Sequence, residues 1–116
     1  MDDRTLKWLY DIKIAIDEIN AFFRTEERNF KSYQKNILLK RAVERELEII
    51  GEAVNRILTR DPALEKEISD AKNIIGLRNH VIHAYDNISD ENIWAILINH
   101  IPRLETEVNK LIQHEN

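Results

Sequence analysis

Eight consecutive residues, Arg78 to Tyr85, gather an arginine, an asparagine, two histidines and a tyrosine. A helix that only builds a core has no use for such a set. Arg78 can hold a phosphate in a bidentate grip. His83 can take up or release a proton near neutral pH. Tyr85 carries a hydroxyl that can donate, accept or be modified. On an ideal helix each residue turns ~100°, so Arg78 and His83 point ~140° apart, whereas Asn79 and His83, four apart, share a face. Two arrangements bring Arg78 and His83 together: a helix distorted near its end, or two copies of the segment meeting across a two-fold axis. The second suits a chain with apolar surface left over for a partner, and it predicts a homodimer with two Arg78 and two His83 lining one cleft.

Plainer roles fit other residues. His80 points away from Arg78 and reads as structural or solvent-facing. Arg78 can pair with Glu52 across a helix crossing, and such an acid would hold the arginine in position. His80, His83 and Asp86 imitate metal spacing only weakly, and no metal is expected. His100 and His114 read as ordinary, and Trp8 and Trp94 as core.

Elements that can position the cluster follow from apolar periodicity. A first helix is predicted over 4–24, with Trp8, Ile12, Ala15, Ile19 and Phe22 on one face and Tyr10, Ile14 and Ile16 widening it. After a turn at Thr25–Asn29, one long helix is predicted over 30–59. Phe30, Tyr33 and Ile37 start its seam, Lys40 interrupts it, and Val43, Leu47, Ile50, Val54 and Ile57 continue it. Such a heptad-like seam pairs with another long helix. Gly51 in mid-helix costs ~1 kcal/mol relative to alanine, which points to close approach of another backbone there. Asp61-Pro62 reads as a capped restart of a short acidic helix over 62–68, and Ser69-Asp70 as a cap for a helix over 70–84. Asp86–Ser89 is a predicted loop. Ser89 caps a last helix over 90–113, which Pro102 should kink near Asn99.

The fold class is therefore all-α, an antiparallel four- to five-helix bundle forming a single domain over 1–116. Two glycines, two prolines and no cysteine in 116 residues agree with long helices and exclude disulfides and thiolate chemistry. No leader-like or membrane-spanning run is present, and a cytoplasmic location is expected. The net charge of −4 argues against a protein that coats nucleic acid. From Arg24 to Glu46, however, seven basic residues (Arg24, Arg28, Lys31, Lys35, Lys40, Arg41, Arg45) face four acids. That strip reads first as a solvated helix face, and it also suits transient contact with a polyanion.

Arg78-Asn79-His80-Val81-Ile82-His83-Ala84-Tyr85 has the form Arg-x4-His-x-Tyr and resembles the signature of the HEPN superfamily, in its HepT-like branch. Glu48-Ile49-Ile50-Gly51-Glu52-Ala53, Gly76-Leu77-Arg78-Asn79, Ile93-Trp94 and Ile101-Pro102-Arg103-Leu104 are similar to further blocks of that branch, so the resemblance spans essentially the whole chain. It implies the toxin of a HEPN/MNT toxin–antitoxin pair, a metal-independent, cofactor-free endoribonuclease acting as a dimer. Arg78 and His83 would be catalytic, with Asn79 and Glu52 supporting them. The implied partners are RNA, a second copy, and a minimal nucleotidyltransferase that silences the toxin by adding AMP to Tyr85; neither DNA nor membrane is expected. Two other readings remain open: a non-catalytic nucleotide- or substrate-binding subunit of a nucleotidyltransferase, and a purely structural dimer.

Overall fold

The computed structural model describes residues 1–76 and 89–115, and among them every regular element is helical. Helix α1 (Asp3–Thr25) opens at Asp2, whose carboxylate accepts the Thr5 amide at 2.9 Å. Its Ile12, Ala15, Ile16 and Ile19 are buried as periodicity predicts, with Leu9 beside them, whereas Tyr10 and Ile14, expected to widen that face, are exposed.

The long second helix is corrected by a break at one residue. Helix α2 (Phe30–Lys35) ends and α3 (Ile37–Arg60) begins at Asn36, whose backbone leaves the helical region at φ −99° and ψ 91°. Its amide donates to the Tyr33 carbonyl at 3.1 Å, and its side-chain oxygen accepts the Leu39 amide at 3.0 Å. Asparagine is a poor interior helix residue and a strong N-cap, so one side chain closes one helix and opens the next. The break also shifts the helical phase. Ile37, a predicted seam residue, is 68% exposed, while Leu39 takes the inward position. Beyond it Val43, Leu47, Ile50, Val54 and Ile57 are all buried as expected.

Helices α1 and α3 lie antiparallel. Asp2 meets Arg60, Trp8 and Ala53 line one groove, Glu18 faces Glu46, and Phe22 and Leu39 share another groove, so the numbering runs in opposite directions. The hydrogen bonds to Thr5 and Arg60 hold the Asp2 carboxyl down at about 2. Lys40, which interrupts the seam, reaches Asp90 with its Nζ 3.1 Å from Oδ2, tying α3 to the start of α5.

Past α3 the chain makes a 3-10 turn (Pro62–Glu67) with proline at its start. The Asp61 side chain makes no capping bond, contrary to the capped helix predicted there. Helix α4 is described over residues 71–76. The Asp70 carbonyl accepts the Ile74 amide at 3.0 Å, but its carboxylate turns toward the last helix rather than capping α4.

Helix α5 (Asp90–Ala95) is capped by Ser89, whose hydroxyl oxygen accepts the Asn92 amide at 3.1 Å, as predicted. Where Pro102 is expected to kink the helix there is a π turn over Ile96–His100, in which the Ile101 amide bonds five residues back to the Ile96 carbonyl. Pro102 has no N–H for the usual bond, and a wider turn gives its ring room. Helix α6 (Ile101–Glu115) then runs antiparallel to α1, with Met1 beside Glu115 and Asn20 bonded to Glu105. Trp94 is half-buried, its ring 5.1 Å from Tyr33, 6.0 Å from Phe30 and 6.1 Å from Phe23, so this tryptophan joins α1, α2 and α5 as a core residue. Among the described residues no helix is long and apolar enough to cross a membrane.

Candidate functional site

Of the residues singled out for chemistry, Arg78, Asn79, His83 and Tyr85 lie outside the described residues, as does His80. Glu52 is described. It sits half-buried on α3 beside the buried Gly51. Its Oε1 accepts a hydrogen bond from Arg56 Nε at 3.1 Å, one turn along the same helix. The side chain stands on the wall of a groove of about 280 Å³ between α1 and α3, with Trp8, Asp11, Arg45, Glu48 and Arg56 around it. A carboxylate there can orient a guanidinium, the supporting role predicted for it.

The elements on either side of the motif are both anchored. On the α4 side, Ile68, Ala71 and Ile74 are buried, and Asp70 is clasped by α6. On the α5 side, Ser89 caps the helix and Asp90 pairs with Lys40.

A second acidic feature lies along α1 and α3. Glu46 is 5% exposed and its Oε2 has no hydrogen-bond partner. It lines a smaller groove with Glu18, Asp11 and Ile14. Burial first, then the neighbouring carboxyl of Glu18, pushes the Glu46 carboxyl up to about 8, with Arg45 opposing. The proton on Glu46 is held more tightly in the folded chain than in the unfolded one. Its contribution to stability is therefore complete below the unfolded pKa of about 4.5 and is lost as pH rises through about 8. Glu46→Gln should melt with wild type at about pH 5 and roughly 5 °C above it at about pH 8.5. Circular-dichroism melts across that range check this, and parallel curves for the two proteins would refute it.

Comparison with known proteins then decides the family. The ribonuclease HepT-like family model matches residues 12–111. A protein of Methanocaldococcus jannaschii named as a candidate RNase is 32% identical over 114 residues, covering 97% of this chain and 96% of its own. A second candidate RNase, from Caldanaerobacter subterraneus subsp. tengcongensis, is 35% identical over 98 residues, 79% of this chain and 81% of its own. The probable ribonuclease HepT of Thermococcus cleftensis is 34% identical over 104 residues, 90% and 92% of the two chains. This chain belongs to the HepT-like ribonuclease family. The assignment makes it a ribonuclease of the HEPN type, with the all-helical fold that the resemblance implies. No solved structure matches it significantly.

The described part of this HepT-like chain also corrects one reading. His100 is not an ordinary surface histidine. Its Nδ1 lies 3.0 Å from the buried Asp70 Oδ1, off the line that a hydrogen bond needs. Arg103 Nη1 closes on the same carboxylate at 3.1 Å. The cluster joins the start of α4 to the π turn and α6. Spacing on one helix could not show it, because its partners lie on separate elements. Glu46 was more accessible to sequence reasoning, since it stands three residues after Val43 and four before Ile50, on their buried face. Among the described residues no group of three or more His, Asp or Glu side chains is placed to hold a metal.

Proposed function

We propose that this HepT-like chain is the endoribonuclease toxin of a toxin–antitoxin pair, working as a two-fold dimer without metal or cofactor. One observation supports this reading above others: the family match at 12–111 takes in the whole Arg78–Tyr85 motif together with Glu52. RNA carries its own nucleophile. The 2′-oxygen attacks the adjacent phosphorus, the bond from phosphorus to the 5′-oxygen breaks, and a 2′,3′-cyclic phosphate and a 5′-hydroxyl remain. One His83 takes the 2′-proton, and the His83 of the second copy gives a proton to the departing oxygen. Arg78 neutralises charge on the phosphorane-like transition state. Asn79 orients His83 or the phosphate, and Glu52 holds Arg78. The silencing partner is a minimal nucleotidyltransferase that adds AMP to Tyr85, two residues beyond His83. Its charge and bulk would keep RNA out of the cleft. The absence of cysteine is consistent with a cytoplasmic setting for this chemistry.

Incubation of the purified chain with RNA in excess EDTA should give fragments ending in 2′,3′-cyclic phosphate. Absence of cleavage, with saturable nucleotide binding by calorimetry, would instead make it a binding subunit of the nucleotidyltransferase. Intact-mass measurement after co-expression with that partner should show one added AMP, lost in Tyr85→Phe. Full neutralisation with an unchanged mass would mean silencing by binding alone.

A further inference from the structure

The corner where α2 meets α3 exposes apolar side chains amid positive charge. Leu38 and Ile37 are 83% and 68% exposed, the two most exposed large apolar side chains among the described residues. Both result from the break at Asn36, which starts α3 with Leu39 turned inward and its two predecessors turned out. A single exposed leucine needs no explanation, but two adjoining ones beside a concavity do. Leu38 forms part of the wall of a groove of about 290 Å³, lined also by Phe22, Thr25, Glu26, Asn36, Leu39 and Ala42. An apolar side chain entering it would meet Phe22 and Leu39 and be covered by Leu38.

Charge supplies the other half. Residues 24–35 carry four cations, Arg24, Arg28, Lys31 and Lys35, against two acids, Glu26 and Glu27, on a chain whose net charge is −4. Arg24, Lys31 and Lys35 are exposed and take part in no ion pair among the described residues. Arg28 lies over the Phe23 ring at 4.6 Å and donates to Asn20 at 3.4 Å, and among the described residues no carboxylate pairs with it. Farther along, Arg41 and Arg45 are already matched by Glu44 and Glu48. Arg24 and Lys35 adjoin the groove residues Thr25 and Asn36 in the chain, which puts unpaired positive charge next to the exposed isoleucine and leucine.

We infer that this corner docks a protein partner through an acidic amphipathic segment. The partner's apolar side chain fills the groove against Leu38, and its carboxylates meet Lys31, Lys35 and Arg24. RNA fits less well, because bases are held by stacking on aromatic faces and Ile37 and Leu38 have none. A second copy fits less well too. The chain's own acidic stretch, 61–67, presents no exposed large apolar side chain with its carboxylates. An anionic membrane would meet Glu26 on a concave surface rather than a flat apolar one. The inference is independent of the catalytic reading, since it uses no residue of the motif.

Fluorescence anisotropy with a labelled synthetic helix, leucine on one face and glutamate on the other, is the direct test. The controls are the same helix with lysine in place of glutamate, a single-stranded uridine oligonucleotide, and phosphatidylserine vesicles. The acidic helix should bind saturably and more tightly than the lysine version. Leu38→Asp should weaken it about tenfold or more. Lys31→Glu with Lys35→Glu should weaken it chiefly at low salt. These side chains are exposed, so the melting temperature should not move. The inference is overturned if the acidic helix does not bind, if both helices bind equally, or if Leu38→Asp leaves binding intact. It is equally overturned if these substitutions abolish RNA or vesicle binding while sparing the helix.

Discussion

Replacing His83 with alanine should lower RNA cleavage by about 10²- to 10⁴-fold, the range that removal of a general acid or base commands. The reasoning is chemical. The 2′-hydroxyl is a poor nucleophile until its proton is taken, and the 5′-oxygen is a poor leaving group until it receives one. A site that divides these tasks between two copies of His83 needs one imidazole neutral and the other protonated. The wild-type rate should therefore follow a bell-shaped pH profile with its maximum near neutrality. Arg78→Lys should recover only part of the activity lost in Arg78→Ala, because an ammonium keeps the charge but not the bidentate geometry. The assay is cleavage of a defined RNA in EDTA by variants whose melting curves match wild type. Undiminished cleavage by His83→Ala would remove His83 from the mechanism. A rate that is flat across the pH range would end the division of roles.

Tyr33 should respond to two substitutions with opposite signs. It is fully buried, its hydroxyl has no hydrogen-bond partner among the described residues, and burial pushes its phenol well above the usual range, so it stays neutral. A buried hydroxyl without a partner costs free energy that a phenyl ring does not. Tyr33→Phe should raise stability by about 1 kcal/mol. Tyr33→Ala removes the ring that packs 5.1 Å from Trp94 and leaves a cavity where α1, α2 and α5 converge. That loss should cost about 3–5 kcal/mol. Urea unfolding at neutral pH separates the two cases. A destabilised phenylalanine variant would show that the hydroxyl has a partner in solution.

Much of the bundle is legible in the sequence, because apolar periodicity is local information. Leu47, Ile50, Val54 and Ile57 are buried where a seam of fours and threes puts them. Ser89 caps α5 because a hydroxyl just before a helix satisfies an amide that would otherwise lack a partner. The break at Asn36 was less legible. Its neighbours suit a continuous helix, and only the side chain's choice between interior and cap decides the matter. Ile37 turns outward for the same reason, since the break resets the helical phase right beside it, whereas the seam from Val43 onward follows the phase of α3 alone. Asp61 misled in the other direction. A capping residue before proline fits a helix start, yet its carboxylate makes no capping bond. Of the candidate site, Glu52 lies on α3 in the groove beside α1, and Arg78, Asn79, His83 and Tyr85 lie outside the described residues. Lys40 shows how tertiary context rescues an apparent flaw: a cation in the seam reads as an interruption until Asp90 is brought beside it.

The π turn at Ile96–His100 has a consequence for how this chain tolerates insertions and deletions. A π turn amounts to one additional residue accommodated within an otherwise α-helical rod. Deleting that residue would close the turn to ordinary α-geometry with the downstream residues still in phase. Leu104, Val108 and Leu111 would keep to the core, and Arg103 would stay beside Asp70. A deletion within α6, which has no such turn to absorb it, would instead rotate everything beyond it by ~100°. Single-residue deletions should therefore be tolerated within the π turn and in the exposed connection around Glu26–Arg28, and excluded within α6.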